Sequence, residues 1–190
     1  TLNILCLIIS NILSICYKNY QRYIANSVLK LHFMIKKNIT FANLLKERIL
    51  VLDGAMGTMI QEYDLEESDF RGAVFSKHNK DLKGNNDILC LTKPEMISKI
   101  HGKYLESGCD IIETNTFNAN KISQADYNAE DFCFELNRKA AILAKKACEK
   151  YSTKNKPRFV AGALGPTNKT LSLSPKVDDP GFREVSFDEV

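Results

Sequence analysis

Three short apolar runs, each stopping abruptly in a cluster of small polar residues, constrain this chain more than any other feature. The first is Ile49-Leu50-Val51-Leu52, which runs straight into Asp53-Gly54 and then Gly57. A continuous apolar run of that length fits a parallel strand covered on both faces. The second is Cys109-Asp110-Ile111-Ile112-Glu113, which delivers Thr114-Asn115-Thr116-Phe117. The third, RFVAGAL at 158–164, delivers Gly165-Pro166-Thr167-Asn168-Lys169. Helical segments separate the runs by enough residues for crossover connections. In a parallel sheet the three strand ends share one rim, where α/β proteins place ligands. Asp53, Thr114-Asn115-Thr116 and Gly165-Pro166-Thr167 then converge although they are far apart in sequence. Taken alone, Asp53 is as easily a turn or N-cap residue. An open doubly wound sheet and a (β/α)8 barrel both satisfy the pattern.

The segments between the runs carry helix signals. Thr92-Lys93-Pro94-Glu95 predicts a helix start, with Thr92 as cap, Pro94 in the first turn and Glu95 closing a capping box. Ile97, Ile100, Tyr104 and Leu105 then share one face, and Gly108 ends the helix. His101 lies near that face and reads as a surface or packing histidine, since no second ligand is near it in sequence. Phe132, Leu136, Ala140, Leu143 and Ala147 form the apolar stripe of a second helix, with alanines that allow close approach to a sheet. Phe41 to Arg48 predicts a short helix leading into the first strand. Tyr63 to Asn86 is a long polar connection with Phe70 and Phe75 as anchors, a length usual for a functional loop or lid. The glycines at 54 and 57 match neither a P-loop nor a dinucleotide fingerprint. They suit a tight turn and close approach to a small ligand.

The chain has 190 residues, enough for one medium domain with a real core. Its net charge is +3, yet residues 1–48 carry seven Lys/Arg against one Asp/Glu, which leaves −3 for the rest. A mildly acidic body gives no nucleic-acid footprint. The six cysteines form no C-x-x-C pair and no metal-spaced set with histidine. They read as reduced core residues in a cytoplasmic setting. Residues 1–44 stand apart, because all nine Gly and all five Pro lie at position 54 or later. A secretory signal lacks its basic region and cleavage site there. A membrane span needs about 20 apolar residues, and this run is broken by Ser10, Asn11 and Ser14. Translated A/T-rich non-coding DNA, a membrane-proximal or targeting helix, and an ordinary buried helix remain as readings of it. The ends, at Thr1 and in SFDEV, are expected to be those of a fragment.

Several phrases carry a family resemblance: ILVLDGAMGTMIQ (49–61), FRG (70–72), LKGNNDIL (82–89), DIIETNTFNAN (110–120), QADY (124–127) and RFVAGALGPTNKTLSLSP (158–175). In this order they resemble the homocysteine-binding domain of cobalamin-dependent methionine synthases, from about Glu47 to Val190. GALGPTNKTLS and KGNNDIL favour those enzymes over betaine-dependent homocysteine methyltransferases. The resemblance implies a (β/α)8 barrel, of which residues 45–190 would supply about the first three β/α units; residues 1–44 resemble nothing in the family. It implies methyl transfer from methylcobalamin, loaded from methyltetrahydrofolate, to zinc-activated homocysteine, giving methionine. Folate and cobalamin modules are then the expected partners within a longer chain, with no nucleic acid and no membrane. Asp53 would contact the homocysteine ammonium, and Gly54 would allow close approach. Thr114, Asn115 and Thr116 would line the pocket, and Glu113 either lines the rim or has a structural role at the strand end. The family's zinc cysteines, one single and one adjacent pair, have no counterpart here, so no metal ligand is expected in this chain and its activity alone is expected to be absent.

A second reading is a non-catalytic partial barrel that binds or docks, with open strand edges prone to association. A hydrolase or phosphate-binding barrel would need a nucleophile–base set. Three histidines in the whole chain offer little for one.

Overall fold

In a computed structural model of the chain, residues 41–167, 169, 174–186 and 188 are described. The readings of residues 1–40, of loop residues 170–173 and of the closing helical turn at 187, 189 and 190 lie outside them. The chain divides into two compact units, Thr1–Leu50 and Val51–Val190. In the first, residues 41–47 are helical, as the sequence predicts.

The second unit is a mixed α/β arrangement around a small parallel sheet. Its elements run α1 (Met56–Gln61), α2 (Glu67–Arg71), α3 (Leu89–Thr92), α4 (Pro94–Glu106), β1 (Ile111–Glu113), α5 (Lys121–Gln124), α6 (Cys133–Tyr151) and β2 (Phe159–Ala161). β1 and β2 are parallel, with Ile111, Ile112 and Glu113 opposite Phe159, Val160 and Ala161. On the other side of β1, Leu52 forms a parallel bridge with Ile111. Val51 and Leu52 of the first run, β1 and β2 thus lie side by side in chain order, with β1 in the middle.

The strands are shorter than predicted, and the first is more exposed. Ile49 is 89% exposed and Val51 55%. Val51 and Leu52 pair with β1 along one edge, so they lack the two-sided cover that a continuous apolar run suggests. Ile112 of β1, by contrast, is fully buried. It shares a cluster with Leu105, Ala144, Ala147 and Cys148, contributed by the helices that flank the sheet.

The two long helices form as their periodicity requires. On α4, Ile97, Ile100 and Leu105 are buried. On α6, Leu136, Ala140, Leu143 and Ala147 are buried, together with Ala144. Small side chains at these positions let the helix lie close to its neighbours. α4 starts at Pro94 as predicted, but its N-cap is Lys93 and no side chain caps it. Thr92 instead ends α3 and turns its hydroxyl back to the Ile88 carbonyl at 3.5 Å. Gly108 follows α4 at φ +106, a conformation that favours glycine, and so ends the helix.

His101 is fully buried, and neither ring nitrogen has a hydrogen-bond partner. Burial pushes its pKa down to about 4, so it packs as a neutral ring. Cys90, Cys109, Cys133 and Cys148 are buried, and Cys148 donates from Sγ to the Phe159 carbonyl at 3.2 Å. No helix among the described residues is long and apolar enough to cross a membrane.

The long connection 63–86 is ordered by two devices. Phe70 and Phe75 are buried, and Phe75 meets Phe132 edge-on at 4.7 Å between ring centres. Arg71 of the FRG phrase then acts as a clamp. Its guanidinium donates to the carbonyls of His78 (2.6 Å) and Lys80 (2.9 Å) and pairs with Glu67 at 2.7 Å. Glu67 in turn accepts from the N–H groups of Leu82 (3.0 Å) and Lys83 (2.6 Å). Desolvation pushes the Glu67 pKa up, but these donors and Arg71 outweigh it and hold the carboxyl below its ordinary range. Replacing Arg71 with Ala removes several charge-assisted bonds from one loop. We expect a loss of about 2 kcal/mol in urea denaturation, with new protease cleavage between residues 72 and 86. Arg71→Lys should not restore stability, because a point charge cannot reach two carbonyls and a carboxylate in one plane.

Candidate functional site

Beyond their short paired segments, the strands are held together by side chains. The Val51 N–H donates to Asp110 Oδ2 at 3.0 Å, and the Val51 carbonyl accepts from the N–H groups of Asp110 (2.7 Å) and Ile111 (3.1 Å). Asp53 continues the pairing through its N–H to the Ile111 carbonyl at 2.9 Å. Its carboxylate then accepts the N–H of Glu113, at 3.1 Å from Oδ1 and 3.2 Å from Oδ2. A side chain here replaces the next rung of the ladder.

The far side of β1 is stitched in the same way. The Thr114 N–H donates to the Ala161 carbonyl at 2.9 Å. The Ala163 N–H donates to Thr114 Oγ1 at 3.0 Å, and Thr116 Oγ1 donates to the Ala163 carbonyl at 2.8 Å. The two threonine hydroxyls are 2.7 Å apart. Since the Thr116 proton goes to a carbonyl, Thr114 donates to Thr116. Both protons are therefore spent on structure, and both residues are buried.

A cleft of about 380 Å³ opens on this rim. All five predicted site residues, Asp53, Gly54, Thr114, Asn115 and Thr116, line it. Asn115 donates from Nδ2 to the Asn86 carbonyl at 2.7 Å, which ties the end of β1 to the long connection. Gly54 lines the cleft too, but its α-carbon faces Tyr104: an added Cβ would lie 3.4 Å from the Tyr104 hydroxyl oxygen. That hydroxyl donates to the Ala55 carbonyl at 3.3 Å. Glu113 also lines the cleft. Gly165, which follows β2, is closely confined. A Cβ there would fall 2.5 Å from the Phe117 carbonyl oxygen.

Of the lining residues without a site role in the sequence reading, one is ionisable. Asp87 is buried and faces the same cleft, with Oδ1 accepting the Asn118 N–H at 3.1 Å. It lies in KGNNDIL, within a stretch that has no periodicity to place it. Its presence in a quoted phrase is the one signal that could have found it.

Burial pushes both aspartates up to about 6. For Asp53, desolvation and the charge of Glu113 outweigh the Glu113 N–H. For Asp87, desolvation outweighs the Asn118 N–H. Two carboxyl groups that resist ionisation therefore share one cleft.

Among the described residues, no three His, Cys, Asp or Glu side chains gather as a metal site. Burial pushes the Cys90 thiol up to about 12 and raises those of Cys109 and Cys133. A zinc site gathers three or four such ligands, and none of these thiols stands in a group of three among the described residues, so they do not fit a zinc ion.

A family model for homocysteine S-methyltransferase matches residues 50–190. The chain belongs to that family. Among solved structures it is similar to the homocysteine methyltransferase MmuM from Escherichia coli. The metallated form is 24% identical, with a TM-score of 0.50 over 65% of this chain and 40% of that one. The oxidized form is 26% identical, with a TM-score of 0.51 over 65% of this chain and 39% of that one. The chain thus spans about 40% of the length of these structures.

The two aspartates set a pH dependence of stability. Their folded-state pKa values, about 6, lie above the ordinary carboxylate value of 3.8. Between those values the folded state binds more protons than the unfolded state, so stability falls as pH rises from 4 to 6. Urea midpoints measured across that range should show this slope. Asp87→Asn should flatten it, leaving the Asp53 contribution against the opposite one from Glu67, whose lowered pKa adds stability as pH rises.

Proposed function

We propose that the cleft binds homocysteine and that the chain is the homocysteine-binding part of a cobalamin-dependent methionine synthase. In this reading the unit is about the first three β/α units of a (β/α)8 barrel. The homocysteine sulfur takes a methyl group from methylcobalamin, loaded from methyltetrahydrofolate on a further module, and methionine is formed in the cytoplasm. The described residues contribute binding and orientation, not activation of the thiol.

The observation that carries the reading is Asp53. It stands at the cleft on a strand end, with its carboxylate half-buried and its pKa raised by that burial. An ammonium group placed against it offsets the cost of ionising it there. The Glu113 N–H holds the carboxylate in place, so little orientation is lost when a ligand arrives. Thr114 and Thr116 act as walls and Asn115 as a fixed neighbour. Gly54 leaves room for Tyr104 to support the loop that follows Asp53.

Calorimetric titration of the full chain with homocysteine tests this. Only ionised Asp53 attracts the ammonium, so affinity should be flat from pH 7 to 8. It should fall by up to about tenfold per unit once the pH is well below 6. Asp53→Asn keeps an acceptor for the Glu113 N–H, so the fold should survive while affinity drops at least tenfold. An unchanged affinity in a folded Asp53→Asn protein would remove Asp53 from the site.

A further inference from the structure

A second cavity lies away from the strand ends, in the groove between α4 and α6. Its volume is about 530 Å³. Lys99 and Lys103 stand along one wall, and Lys146 and Lys150 along the other. Each pair is spaced i, i+4, so both lysines of a pair lie on one helix face. Gly102, Leu143 and Ala147 form a narrow, largely buried floor of small and apolar groups between the walls. Two tyrosines close the sides. Tyr151 donates to Glu106 at 2.5 Å, and Tyr63 lies under the Lys103 ammonium at 6.0 Å from ring centre to nitrogen.

The charge here is one-sided. Glu106 is the one carboxylate lining the groove, and the Tyr151 hydroxyl occupies it. Lys103 pairs at 3.5 Å with Glu62. Lys99 and Lys146 make no ion pair among the described residues. Residues 49–190 carry a net −3, from the chain's +3 and the +6 of residues 1–48. A lysine-walled groove is therefore a local reversal of the unit's own sign. Like charges at i, i+4 on a helix repel, and Glu62 offsets this at Lys103 alone, which leaves Lys99 and Lys146 for carboxylates brought by a partner.

We propose that this groove docks an acidic amphipathic helix of a partner polypeptide. An apolar stripe at i, i+3, i+4 and i+7 would fill the floor, and Asp or Glu on both flanks would meet the two lysine walls. The match is to a helix because the groove runs between two packed helices and is charged on both sides of an apolar line. The proposal is independent of the homocysteine reading, since no residue is shared between the two cavities.

The test is fluorescence anisotropy of the full chain with a stapled helical peptide of about 15 residues, with Leu along one stripe and Glu on both flanks. We expect saturable binding that weakens at least tenfold between low and high salt. Lys99→Glu/Lys146→Glu should weaken it at least tenfold and should bind the same peptide with Lys flanks instead. Both lysines are exposed, and circular dichroism would verify that the variant is folded. Absence of saturable binding to the Glu-flanked peptide would overturn the proposal. So would equal binding by the charge-reversed variant, or complete competition by inorganic polyphosphate, which would reveal a patch that takes any polyanion.

Discussion

The rim of the sheet depends on side chains that replace backbone pairing. β1 is only three residues long, and a ladder that short positions little by itself. Asp110 and Asp53 fasten the preceding segment to it, and Thr114 and Thr116 fasten the segment after β2. Each contact satisfies a main-chain group that the ladder has stopped serving. The strand ends are consequently rigid where a loop would ordinarily begin. Residues that look like ligand contacts in sequence are also the bolts of the frame.

How much of the candidate site was legible follows from where these residues stand in the chain. Asp53 and the Thr114-Asn115-Thr116 cluster could be singled out because each follows an apolar run, and strand ends converge in any parallel sheet. The long helices were legible for the same kind of reason, since a period near 3.6 with buried Leu, Ile and Ala admits few alternatives. The lateral limits of the strands were not. Apolar character continues through Ile49 and Leu164, but pairing stops earlier, and both side chains are left largely exposed. Thr92 misled because a hydroxyl before Lys-Pro-Glu looks like a cap until a preceding short helix claims it. Asp87 was invisible for a deeper reason. Its position follows from the folding of the connection 63–86, which Arg71, Phe70 and Phe75 order through contacts with no sequence period.

The helical layer and the rim answer to different physics. The helices bury apolar surface and tolerate any side chain of suitable volume. The rim holds polar groups out of water, and each must find a partner. Thr114 and Thr116 find theirs in one another and in Ala163, so neither retains a proton for a ligand. Asn115 has given its amide to Asn86 and its neighbourhood to Cys90.

What the rim leaves unsatisfied is charge. Asp53 and Asp87 face one cleft, both burdened by desolvation, with Glu113 adding its own repulsion to Asp53. A fold selected for stability alone would replace such carboxyls with amides, which could keep the hydrogen bonds to Glu113 and Asn118 without the cost of ionisation. Retaining acids there makes sense if the cleft receives a cation, because a bound ammonium turns both penalties into attraction. An amino acid satisfies that condition at one end and leaves its side chain free to extend across the cleft. Under the proposed reading, that cost falls on two particular carboxyl groups, and an α-amino group set against them is the simplest thing that relieves it.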